Sequence, residues 1–128
     1  MPAAVGVLFV LQWGCGHRDP ASPLTDALLA TAAHWGKGPD RSQFARAELE
    51  RIAERVRERA VGEPAARALA RVVFDDLGFA REVDDESLDY VLLPSVLEQR
   101  RGSCVGLGSL YLALAERLGL SMHGVMLP

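Results

Sequence analysis

A mostly α-helical domain with a small β component (α+β) is what this sequence predicts, on three observations. Apolar residues recur at three- and four-residue spacing in separate stretches, and glycine and proline punctuate the gaps between them. A single apolar segment of strand length, Ser121–Leu127, closes the chain. The expected architecture is a helical N-terminal region, then a helix that starts at Cys104, then one strand.

The elements follow in order. Met1–Gly16 carries no charge, and its apolar run, Ala3–Leu11, is too short to span a bilayer, which takes about 20 apolar residues. Its length suits the core of an export signal, and Gly14-Cys15-Gly16 matches the end of a lipoprotein signal, which makes Cys15 a lipidation candidate. No Lys or Arg precedes the run, so a buried N-terminal strand or a misassigned start stays an equal reading, and so do envelope and cytoplasmic locations. His17–Pro23 reads as a linker, which leaves residues 24–128 as the folded region.

Leu24–Trp35 is predicted as the first helix, with Leu24, Leu28 and Leu29 facing inward and Gly36-Lys37-Gly38-Pro39 as its stop. Asp40 or Ser42 then caps a second helix that runs to about Arg59. Its core stripe is Ala45, Leu49, Ile52 and Val56, and the Glu and Arg residues around it form a solvated face. Pro64 fits the first turn of a third helix, which buries Leu69, Val72, Val73 and Leu77 and stops at Gly78, with Phe79 folding back on its end. Asp84-Asp85-Glu86-Ser87 is a polar loop and helix cap rather than a metal site. Pro94 opens a short helix to Gln99, and the last helix, Cys104–Leu118, buries Leu107, Leu110, Tyr111, Leu114 and Leu118 before Gly119 ends it.

At 128 residues and 49% hydrophobic, the chain has the size and composition of one globular domain. A net charge of −3 excludes a general nucleic-acid binder. Two cysteines, Cys15 and Cys104, make neither a disulfide framework nor a zinc site, and no metal or cofactor is expected. The glycine-rich stretch Gly102–Ser109 lacks the lysine of a phosphate loop.

Cys104 is the candidate for chemistry. A cysteine in the first turn of a helix has its thiolate stabilised by unpaired N–H groups and the helix dipole. Arg100 and Arg101 add positive charge nearby in sequence, and Gly102 leaves room for a substrate or backbone to approach. The Cys104 N–H could donate to an oxyanion on the attacked acyl carbon. Read locally, the same residue also fits a small, inert side chain buried at the start of a core helix.

The motifs Val73-Phe74-Asp75-Asp76-Leu77-Gly78-Phe79 and Val96-Leu97-Glu98-Gln99-Arg100-Arg101-Gly102 carry a family resemblance. So do the run Leu110–Leu120 and Gly124-Val125-Met126-Leu127-Pro128. Together they resemble the transglutaminase-like superfamily, in its bacterial SirB-type branch. The resemblance implies a papain-like site in which a Cys at a helix N-terminus is paired with a His and an Asp on following strands. Carried over, Cys104 matches the nucleophile, with Gly102 and Arg101 beside it as binding candidates. The branch's histidine follows a Leu-Pro and a glycine, and this sequence ends at Leu127-Pro128. The expectation is therefore a domain completed by residues beyond these, inactive alone, acting on a protein or peptide amide. Within the sequence His123 is the nearest histidine, while His17 and His34 fall in a linker and at a helix end. The alternative is a non-catalytic, envelope-associated interaction module, anchored through a lipid on Cys15. On either reading a lone strand leaves an open edge that favours association with a partner.

Overall fold

The computed structural model describes residues 22–35, 40–83 and 86–125. The apolar segment 1–16 with Cys15, His17, the acidic pair at 84–85 and residues 126–128 lie outside the described residues. Five α-helices are described: α1 (Pro23–His34), α2 (Asp40–Arg59), α3 (Ala65–Ala70), α4 (Leu93–Gln99) and α5 (Cys104–Arg117). The fold is mostly α, with one two-stranded sheet among the described residues.

α2 is the hub, packing against α3, α4 and α5, while α1 lies on α4 and α5. The predicted stripe of α2 forms the centre of the core: Ala45, Leu49 and Val56 are fully buried and Ile52 nearly so. Across from it α5 buries Leu110, Ala113 and Leu114, with Leu107, Tyr111 and Leu118 only partly covered. In α1 Leu29 is buried as expected, with Thr25 and Ala32 beside it, while Leu24 and Leu28 are only partly covered. Pro23, placed by sequence in the linker, is the first helical residue.

The N-terminus of α1 is held from a distance. Ser22 makes no side-chain cap; instead the Glu116 carboxylate on α5 accepts from the Leu24 N–H (3.2 Å) and the Thr25 N–H (3.4 Å). An anion there satisfies two orphan donors and meets the positive end of the helix dipole. Glu116→Ala should destabilise the domain by about 0.5–2 kcal/mol, the usual cost of losing a cap. Urea unfolding at neutral pH measures it, and Glu116→Gln, which keeps an oxygen acceptor, should recover part of the loss.

α3 continues into a wider π-helical turn, Arg71–Asp76, in which the Leu77 N–H reaches the Val72 carbonyl five residues back (2.9 Å). The extra residue lets Val72 and Val73, adjacent in sequence, both face the core. Gly78 at φ +70° then turns the chain in the left-handed conformation that glycine adopts without strain. Phe79 is buried, and its N–H closes on the Val73 carbonyl (3.0 Å), as the C-cap pattern predicts.

The sheet is not where the sequence places it. Residues 121–125 form no strand; Leu120 and Met122 pack against the core, and the Leu120 N–H returns to the Ala115 carbonyl (2.8 Å). A strand needs a partner for its backbone groups, and among the described residues this segment meets none. The strands are β1 (Ala80–Arg81) and β2 (Arg101–Gly102), paired in parallel with Ala80 opposite Arg101 and Arg81 opposite Gly102. The pairing ties the chain leaving the π turn to the residues just before Cys104.

Candidate functional site

The site is built on the junction of β2 and α5. α4 ends at Arg100, whose left-handed conformation (φ 54°) turns the chain into β2. The Gly102 carbonyl accepts from the Glu82 N–H (2.8 Å), and the Ser103 N–H donates to the Tyr90 carbonyl (2.8 Å). Ser103 is the N-cap of α5: its backbone is extended and its Oγ accepts from the Gly106 N–H (3.1 Å). The Leu107 N–H goes to the Ser103 carbonyl (2.9 Å).

Cys104 follows as the first helical residue. Gly102 and Ser103 are buried, Cys104 and Val105 are exposed, and the thiol is free. This geometry removes the reading of Cys104 as a buried packing residue. Neither the Cys104 nor the Val105 N–H has an acceptor among the described residues, so two donors remain at the helix start.

The neighbouring arginines do not serve the thiol. Arg100 turns its Nη1 to the Leu77 carbonyl (3.1 Å), and Arg101 pairs through Nε with Glu82 Oε2 (3.0 Å). Guanidinium groups seek acceptors with fork geometry, and the turn after α3 and the end of β1 supply them. Gly102 gives its space to the fold: a Cβ there would stand 3.2 Å from Val96 Cγ1 and 3.3 Å from the Leu107 nitrogen.

The sequence reading missed Gly106. A Cβ at this position would lie 2.1 Å from the Tyr90 carbonyl oxygen and 3.0 Å from Val96 Cγ2. Its trace in the sequence is a glycine in the first turn of a helix, where intrinsic propensity disfavours one.

The two described histidines lie on other segments. His34 sits at the end of α1, edge-on to Trp35 with ring centroids 5.6 Å apart. His123 is exposed and next to Gly124, which lies beside Leu112. Leu112 is two turns along α5 from Cys104, or about 12 Å at 1.5 Å per residue. Among the described residues no hydrogen bond joins either ring to the thiol. Among the described residues no three His, Cys, Asp or Glu side chains gather as a metal site, and no helix is long and apolar enough to cross a membrane.

Two concavities flank these elements. A cleft of about 350 Å³ is lined by Glu82, Glu86, Ser87 and Tyr90, and two of these residues hydrogen-bond the backbone that precedes Cys104. A larger groove of about 630 Å³ runs along the outer face of α2, over Ile52, Leu77 and Phe79, and includes no residue of α5. On α5 itself Tyr111 stacks on Phe74 with centroids 6.1 Å apart, and burial pushes its phenol pKa upward.

The family model of the transglutaminase-like superfamily matches residues 43–128, from early α2 through the cysteine-bearing helix. No curated protein and no solved structure matches the chain. The match covers most of the sequence and spans the core of α2, the π turn and the β2–α5 junction alike. This chain belongs to the transglutaminase-like superfamily.

Proposed function

We propose that Cys104 is the nucleophile of an acyl-transfer site of the SirB type, acting on the amide of a protein or peptide. The observation that carries this reading is an exposed thiol at the first turn of α5, beside two amide donors with no other acceptor among the described residues. The thiolate would add to the acyl carbon, with the Cys104 and Val105 N–H groups facing the developing oxyanion. The C–N bond then breaks, the amine leaves with a proton from a general acid, and a thioester remains for water or a second amine. In the superfamily's pattern that general acid is a histidine oriented by an aspartate.

The test is alkylation by iodoacetamide at pH 7, with Cys104 distinguished from Cys15 by peptide mass. An exposed nucleophile held beside preorganised donors should be alkylated about threefold or more faster in the folded chain than in urea-unfolded chain. A ratio of one or less overturns the nucleophile reading.

A further inference from the structure

The contact between Gly106 and Tyr90 extends the reading of Cys104 as nucleophile, on which it rests. We propose that Gly106 and the main-chain carbonyl of Tyr90 form a positioning pair that locks the first turn of α5 and so presents Cys104 to solvent. The carbonyl oxygen occupies the place a side chain at 106 would take, 2.1 Å from where its Cβ would stand. The same oxygen accepts the Ser103 N–H at 2.8 Å, and Ser103 in turn accepts the Gly106 N–H at 3.1 Å. Three consecutive links thus join the last residue of the 3-10 turn Leu88–Tyr90 to the N-cap and third residue of the helix.

The consequence is geometric. Ser103 and Gly106 face the Tyr90 backbone and Val96 on the inner side, so the residues between them, Cys104 and Val105, face outward. An N-terminal helical turn normally frays, which would swing its amide donors out of register with the thiol. A turn pinned at both its N-cap and its third residue holds those donors in place. The tyrosine side chain plays no part in the lock, because the acceptor is the main-chain oxygen.

The pairing separates the roles of two glycines on one helix. Gly108 has open space around its Cβ position, whereas Gly106 has none. Both Gly106→Ala and Gly108→Ala raise helix propensity, and only the first must expel the Tyr90 carbonyl.

The experiment measures Cys104 alkylation at pH 7 in the full 128-residue chain, as the ratio of folded to urea-unfolded rates. Gly106→Ala should lower the ratio about threefold, towards one, with its far-UV dichroism kept, while Gly108→Ala leaves the ratio at the parent value. A folded Gly106→Ala protein with the parent ratio overturns the proposal. If Gly106→Ala does not fold, Ser103→Ala and Ser103→Pro decide. Both lose the hydroxyl cap, but only proline loses the N–H given to Tyr90, and the Ser103 φ of −66° already suits proline. A larger drop for Ser103→Pro supports the lock, and equal ratios overturn it. A parent ratio of one sinks the nucleophile reading instead. The lock is then judged by hydrogen exchange of the Ser103 amide, where slow exchange supports it and exchange at the rate of a frayed end refutes it.

Discussion

Leu110→Ala lowers the unfolding free energy by about 3 kcal/mol, the middle of the range for emptying a fully buried leucine site. Leu110 has no exposure and belongs to one cluster with Leu49, Val56, Leu69, Val96 and Leu114, drawn from α2, α3, α4 and α5. Deleting its isobutyl group forfeits the transfer free energy of the lost carbons. It also leaves a void that helices packed on several sides close only in part. A domain of this size has about 5–15 kcal/mol in all, so the loss is a large share of its stability. Urea unfolding should show the midpoint falling by about 1–2 M, given slopes typical of small domains. A fall below about 0.3 M would contradict the packing described for α5. Val105→Ala on the same helix is the control: the residue is 60% exposed, and its effect should stay within about 0.5 kcal/mol.

Glu50→Gln costs about 1–3 kcal/mol at neutral pH, because it strips a carboxylate from a buried guanidinium. The Arg117 side chain is 1% exposed, and its Nη1 donates to Glu50 Oε2 at 2.6 Å. Arg57 donates to the other oxygen at 3.0 Å and also holds Glu54 at 2.9 Å. Glu50 is itself 38% exposed, so water screens part of the effect and the loss stays below that of a fully buried pair. Arg117→Met, which removes the buried charge and keeps the volume of the stem, should be milder than Glu50→Gln. That ordering is the sharper test, since a simple count of lost bonds predicts the reverse.

The same cluster sets an acid dependence. Burial by itself raises the Glu50 pKa, but hydrogen bonds from Arg117 and Arg57, with their charges, outweigh it and hold the carboxyl below its ordinary 4.5. Between the lowered folded value and 4.5 the unfolded chain binds a proton that the folded chain does not. The contribution is therefore fully present above 4.5 and is lost as pH falls through the folded value. The stability gap between the parent and Glu50→Gln should narrow as pH drops below 4.5, read from urea midpoints. A gap that widens on acidification would reverse the sign and reject the assignment.

How far the fold was legible depends on the range of the interactions. The stripe Ala45, Leu49, Ile52 and Val56 could be read directly, because helical periodicity repeats within one segment. The Gly78-Phe79 stop was legible for a similar reason, since a C-cap is settled within a few residues. The strand was misplaced because an apolar run signals burial, while strand identity requires a partner. The two-residue ladder of β1 and β2 is too short to show any alternation. Glu116 capping a helix some 90 residues earlier left no local trace either.

The candidate site divides along the same line. Its nucleophile candidate and its place at a helix start were legible, because Cys104 directly precedes the helical stripe Leu107, Leu110, Tyr111 and Leu114, a pattern that repeats within one segment. The directions of Arg100 and Arg101, the outward presentation of Cys104 and the seat of the Tyr90 carbonyl on Gly106 were not. By itself the sequence determined the helices, their inward faces, the superfamily likeness and the residue most able to act as a nucleophile. Only the tertiary structure decided which backbone groups surround that residue and which charges turn away from it. Local propensity acts over a few residues, whereas a carbonyl or a guanidinium settles wherever packing brings its partner.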